Sequence, residues 1–157
     1  MRYLWIALVV FVLDQATKWA AVEFLARHAE VPLLPFLNLT LVFNAGAAFG
    51  FLSTASGWQN YFFIAIAIVA CVVVLFMLRR LGAKDALLAV ALVLILGGAA
   101  GNLCDRLLYG HVIDFVDFHV GSWHWPAFNV ADSAITIGAV LLVLDTLGVK
   151  LGRRVTS

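Results

Sequence analysis

Long apolar runs separated by short polar stretches set the frame of this chain. The first run, from about Tyr3 to Val22, is broken only by Asp14 and Lys18 toward its outer end. A mixed stretch follows from Glu23 to Asn60, with Pro32, Pro35, several glycines and Trp58. Tyr61 to Leu78 is an unbroken apolar run, closed by a charged turn of Arg79, Arg80, Lys84 and Asp85. A third run, Ala86 to about Leu103, leads into a second polar stretch from Cys104 to Phe128. The fourth, about Ala131 to Val149, ends in Lys150, Arg153 and Arg154. An α-helix needs roughly 20 mostly apolar residues to cross a hydrocarbon core, so the pattern predicts four membrane-spanning helices. Between them, Asn38-Leu39-Thr40-Leu41 alternates polar and apolar, the period of a strand lying on an interface. Ile113 to Val120 is β-branched and aromatic, a strand by composition rather than by period.

Composition agrees with the pattern. The 157 residues are 64% hydrophobic and 12% charged, with a mean hydropathy of +1.05, more apolar surface than a soluble fold of this size could hide. Four spans use most of that length. The expectation is one membrane-embedded domain over residues 1–157, all-α apart from a small β element in the outer loops. A net charge of +1 gives no basis for nucleic acid binding. Cys71 and Cys104 sit in apolar stretches without metal-ligand spacing and read as buried, inert thiols. Met1-Arg2 before an apolar run looks like a secretory leader, but Asp14 and Lys18 interrupt the run and three more follow. An uncleaved first helix is expected.

Charge sets the orientation. Arg2, Arg79, Arg80, Lys84, Lys150, Arg153 and Arg154 fall on one side of the four-span arrangement, and Lys18, Arg27 and Arg106 on the other. The positive-inside bias then places both termini in the cytoplasm. Of the acidic residues only Asp85 and Asp145 share that side, so the polar clusters face outward. Trp58, Trp123 and Trp125 suit the headgroup level.

The stretch that most needs a reason is Gly97–Phe118, GGAAGNLCDRLLYGHVIDFVDF, where a glycine-rich apolar run ends in Asn102, Asp105, Arg106, His111, Asp114 and Asp117. Asn129 and Asp132 follow in FNVADSA. Charged groups within spans face the bundle interior and pair. Asp14 and Lys18 are one helical turn apart and can pair along one face, whereas adjacent Asp105 and Arg106 each call for a different partner. Asp114 and Asp132 have no evident cation close in sequence. Brought together in a low-dielectric pocket they would share a proton, giving a general base beside a general acid. Such a pair can activate water against a peptide carbonyl and protonate the leaving amine. The competing reading of Asp132 is helix capping. Gly97 and Gly101 form GxxxG, a close helix-packing motif, and no GK[ST] follows to make a phosphate loop. His28, His111, His119 and His124 lack paired helical spacing, and His111 with Asp114 is the one conceivable start of a zinc site.

The sequence resembles the bacterial lipoprotein signal peptidases, or signal peptidase II. Five blocks carry the likeness in the family's order: DQATK at Asp14–Lys18, NAGAAFG at Asn44–Gly50, GGAAGNLCDR at Gly97–Arg106, GHVIDFVDF at Gly110–Phe118 and FNVAD at Phe128–Asp132. The resemblance implies a four-helix aspartyl endopeptidase of the bacterial cytoplasmic (inner) membrane, with its site near the outer face and without metal or organic cofactor; a monomer is expected, although nothing in the residues fixes the oligomeric state. Its substrates would be diacylglyceryl-modified prolipoproteins presented from membrane lipid and cut just before the lipidated cysteine. It also implies a catalytic dyad of Asp114 and Asp132, with Asp14, Lys18, Asn44, Asn102, Asp105, Arg106 and Asn129 binding substrate or supporting the site. The loop from Asn38 to Asn44 would be a small sheet on the membrane surface. Two other classes fit the residues less well. A proton-coupled transporter would favour acidic groups near the midplane and symmetric halves. A non-catalytic chaperone would not need the paired aspartates.

Overall fold

The computed structural model describes residues 3–26, 30–46, 57–82 and 85–148. Four helices run up and down: α1 (Leu4–Leu25), α2 (Trp58–Arg80), α3 (Ala86–Tyr109) and α4 (Val130–Thr146). Four strands lie between them: β1 (Glu30–Leu34) and β2 (Leu37–Asn44) after α1, then β3 (Val112–Val120) and β4 (Trp123–His124) after α3. They form one antiparallel sheet in the order β1-β2-β3-β4. Both strands expected from sequence are present, and the sheet closes the end of the bundle where α1 and α3 finish and α2 and α4 begin.

Three of the helices, α1, α2 and α3, are long and apolar enough to cross a membrane. At 1.5 Å per residue the 17 residues of α4 span only about 25 Å. The predicted run continued to Val149, which lies outside the described residues, as do Arg2, Arg27, His28, Lys84, Lys150, Arg153, Arg154 and residues 47–56. Outward faces are strongly apolar, with Trp5, Leu8 and Trp19 on α1, Ile66, Val69 and Val72 on α2, and Ile137, Val140 and Val143 on α4 all exposed. A surface of that kind is stable against lipid, not water. The chain is an integral membrane protein.

The α3 helix is the hub, packed against α1, α2 and α4. Glycine makes that possible. A Cβ at Gly97 would sit 2.7 Å from the Ala7 carbonyl oxygen of α1, and one at Gly98 would fall on the Ala131 carbonyl oxygen of α4. At Gly101 it would strike the Asp14 carboxylate. The GxxxG expectation therefore holds: Gly97 and Gly101 bring α3 close to α1, while neighbouring Gly98 admits α4. Ala7, Val74, Leu78, Ala89, Leu92 and Val93 form the core at the far end. Ala21, Leu25 and Phe115 anchor the sheet to the end of α1.

One expected boundary is wrong. The apolar run predicts a third span ending near Leu103, with Cys104 to Phe128 as loop, but α3 continues to Tyr109 and stops at Gly110 in a left-handed C-cap with φ 78°. Polar residues did not end the helix because their partners stand within the protein, on α1 and at Gly46, rather than in water. Asp105 and Arg106 are therefore helical.

Candidate active site

A buried polar knot lies where α1, α3, β3 and the start of α4 meet. Lys18 is 1% exposed and Asp14 not at all. The ammonium group donates to three acceptors: Asp14 Oδ2 at 2.8 Å, Asp105 Oδ2 at 2.8 Å and Asn102 Oδ1 at 2.9 Å. All of its N–H groups are used, as a buried charge requires. The expected Asp14–Lys18 pair thus exists within a larger cluster. Gln15 completes it, donating to Asp105 Oδ1 at 2.8 Å. Sequence reading passed over Gln15, although its place three positions before Lys18 on one face of α1 was a usable signal.

This knot holds two other elements in place. Asp14 Oδ1 accepts the Ala131 N–H at 2.8 Å, one of the donors left open at the N-terminus of α4. Asp105 Oδ2 accepts the Ile113 N–H of β3 at 3.2 Å. Arg106 points elsewhere, its guanidinium donating to the Gly46 carbonyl at 3.1 Å and lying 5.1 Å from the Phe63 ring centre. The two neighbours do take different partners, as expected.

Because Lys18 occupies the oxygen of Asn102, the amide nitrogen of Asn102 faces away and donates to Asp132 Oδ1 at 2.8 Å. Asn129 caps α4 in the same manner. Its Oδ1 accepts the Asp132 N–H at 2.9 Å, while the Asn129 N–H donates to Asp132 Oδ2 at 3.3 Å, a reciprocal capping box. The Asn129 amide nitrogen then donates to Asp114 Oδ1 at 2.7 Å and reaches Asn102 Oδ1 at 3.3 Å. One amide relay therefore links the two carboxylates. The capping reading of Asp132 is correct and does not exclude the other, because one oxygen caps and the other takes the Asn102 amide.

Asp114 is 2% exposed on β3. Its second oxygen accepts from Asn44 Nδ2 at 3.0 Å across the β2–β3 pair. A bulge makes this contact possible: Leu39 faces Val116 and Val42 faces Asp114, so Thr40 and Leu41 share one partner residue. Without the extra residue Asn44 would stand opposite His111, on the other face from Asp114. Burial, and then the Asp132 carboxylate, push Asp114 up to about 7, against the lowering effect of its two amide donors. A carboxyl in that range can hold or release a proton near neutrality.

A cavity of about 480 Å³ opens on these groups. Asn44, Asn102, Arg106, Asp114 and Asp132 supply its polar lining, and Val112, Phe128, Ile135 and Ile137 much of the apolar remainder. Of the nine site residues expected from sequence, these five line the cavity, and Asp14, Lys18, Asp105 and Asn129 lie behind it. His111 is packed between Phe43 and Tyr109, with ring centres 4.8 Å and 6.2 Å away.

The similarities to known proteins agree with this geometry. The family model for signal peptidase (SPase) II matches residues 6–148. The lipoprotein signal peptidase of Burkholderia mallei (strain SAVP1) is 57% identical over 152 residues, covering 97% of this chain and 91% of that protein. That of Burkholderia vietnamiensis is equally similar, at 57% over the same length. Two solved structures described as a bacterial membrane enzyme, at 2.3 Å and 1.9 Å resolution, superpose with TM-scores of 0.81 and 0.75. Each is 34% identical, and they cover 91% and 90% of this chain and 85% and 90% of their own. With the match spanning nearly all of the described chain, the protein belongs to the signal peptidase II family, whose members are aspartic proteases.

Proposed function

We propose that this chain removes signal peptides from diacylglyceryl-modified prolipoproteins by cutting just before the lipidated cysteine, with Asp114 and Asp132 as the catalytic dyad. The observation that carries the reading is the shared cavity. Two carboxylates joined by an amide relay face one space, and Asp114 is poised near neutral pH. In the one-proton state the ionised carboxylate takes a proton from water as its oxygen attacks the scissile carbonyl carbon, and the protonated partner donates to the carbonyl oxygen. Collapse of the tetrahedral diol breaks the C–N bond. One carboxyl proton goes to the leaving amine, a hydroxyl proton returns to the dyad, and the one-proton state is restored. Asn44 and Asn129 fix Asp114, Asn102 fixes Asp132, and Arg106 is placed to hold a substrate carbonyl.

Substrate class follows from the walls. Ile135 and Ile137 of α4 bring an apolar surface to the cavity, suited to acyl chains and a signal-peptide helix arriving sideways from the bilayer. The location proposed is the outer face of the bacterial cytoplasmic membrane. The full proposal is one monomeric domain with four crossings and both termini cytoplasmic, supported by the basic residues at Arg79 and Arg80 opposite the sheet end.

The decisive experiment is cleavage of a lipid-modified prolipoprotein by purified chain in detergent, with wild type beside Asp114→Asn and Asp132→Asn. Both variants should keep wild-type helical content and lose about a thousandfold or more in turnover. Normal turnover by either one makes that aspartate structural and the mechanism wrong.

A further inference from the structure

A second cavity, of about 640 Å³, lies beside the first and shares a wall with it. Asn44, Asp114, Trp125, Pro126 and Ala127 border both. A substrate stretched across Asp114 must continue on either side of the bond being cut, and the two spaces differ in the surroundings they offer. The first runs along α4, where Ile137 lies exposed on the apolar outer face. No α4 residue lines the second, which is walled by the sheet: Glu30 from β1, Thr40 and Val42 from β2, Asp117 from β3 and His124 from β4. The signal peptide and the acyl chains belong with the apolar side. The chain after the cysteine is the part of the substrate that leaves for water.

Three carboxylates face one imidazole in this second space. Glu30, Asp114 and Asp117 all line it, and no lysine or arginine does so among the described residues. His124 is committed to Asp117, 2.9 Å from the carboxylate, and Asn38 donates to the same group at 3.3 Å. His124 also stacks on His119, with ring centres 5.1 Å apart. Asp117 is thus answered by its neighbours, whereas Glu30 stands exposed at the start of the edge strand.

We propose that the sheet-side cavity receives the residues immediately following the cysteine, and that Glu30 makes the enzyme select among them by charge, favouring basic over acidic side chains. The inference rests on the dyad reading above and adds a specificity residue to it. Water screens an exposed carboxylate, so selection operates through a several-fold change in kcat/KM and not through all-or-none exclusion.

The test uses three diacylglyceryl-modified peptides: one ending a single residue after the cysteine, one continuing with aspartates and one continuing with lysines. Wild type should cleave the lysine peptide faster than the aspartate peptide. Glu30→Lys should move that ratio about five- to tenfold toward aspartate and leave the short peptide unchanged. His124→Trp, which puts a larger ring into the cavity from β4, should lower kcat/KM for both long peptides about tenfold or more and spare the short one. An unchanged lysine-to-aspartate ratio in Glu30→Lys, or an equal loss on all three peptides in His124→Trp, overturns the proposal while leaving the dyad standing. Failure of wild type to cleave any of them overturns the dyad reading, and this proposal with it.

Discussion

At the scale of single residues, the proton on Asp114 governs both activity and stability. Its folded pKa, about 7, lies above the ordinary carboxylate value of 3.8. Between those two values the native state holds a proton that the unfolded chain has released, so stability falls as pH rises through this window. Above it, the protein carries the cost of an ionised, buried Asp114 beside Asp132. The apparent melting temperature of wild type in detergent should therefore drop between pH 5 and pH 8 relative to Asp114→Asn, which has no proton to lose there. Parallel melting curves for the two proteins would remove Asp114 as the titrating group. Turnover should decline on the same alkaline limb as the dyad loses its shared proton.

Lys18 poses a different residue-scale question, because it answers two buried carboxylates and orients Asn102. Removing one partner from a buried charge cluster costs roughly 3–5 kcal/mol, since the remaining charges stay uncompensated. Lys18→Met should lower the melting temperature sharply. Adding Asp105→Asn should recover part of that loss, as coupled sites do, without restoring turnover, since the Asn102 amide would still lack its anchor. Full recovery of turnover in the double variant would count against the orienting role.

At the scale of elements, the α3–α4 contact decides where Asp132 sits. Gly98 meets the Ala131 carbonyl directly, one residue before Asp132. Gly98→Ala should push the start of α4 away, costing about 1–3 kcal/mol by overpacking and lowering turnover at least about tenfold through misplacement of the carboxylate. The melting temperature and kcat of that variant read both effects, with Gly82→Ala as the control, where a Cβ would meet nothing closer than the Asp85 carboxylate at 3.4 Å.

Much of this level was legible in the chain. The apolar runs located all four helices, and the alternation at Asn38–Leu41 located β2. The end of α3 was not legible, because Asn102, Asp105 and Arg106 look like the start of a loop until Lys18, Gln15 and Gly46 are seen to receive them. The bulge at Thr40–Leu41 was hidden for a similar reason. Nothing local marks an extra residue whose effect is to turn Asn44 toward a strand about seventy positions away. The site residues were findable because charge in an apolar sequence is conspicuous. Their division into a cavity-lining group and a supporting group was not, since it depends on which oxygen each neighbour already occupies.

At the scale of the molecule, the sheet, the buried knot and both cavities gather at one end of the bundle, and Arg79 and Arg80 mark the other. If the proposed orientation is right, single cysteines at Gly82 and Ser122, in a chain with Cys71 and Cys104 replaced by alanine, should differ in access to an impermeant maleimide. Ser122→Cys should label in intact spheroplasts, and Gly82→Cys only after lysis. The reverse pattern would invert the topology.

The same buried knot has a consequence for how the chain is made. Lys18 and Asp14 leave the ribosome early, but Asn102, which shares the ammonium group with them, follows 84 residues later. At the usual pace of synthesis that interval is on the order of ten seconds. During it Lys18 has only one of its three acceptors, Asp14 on its own helix. Until the third helix is made, the two charges can answer only each other across one turn, the costliest arrangement they meet in hydrocarbon.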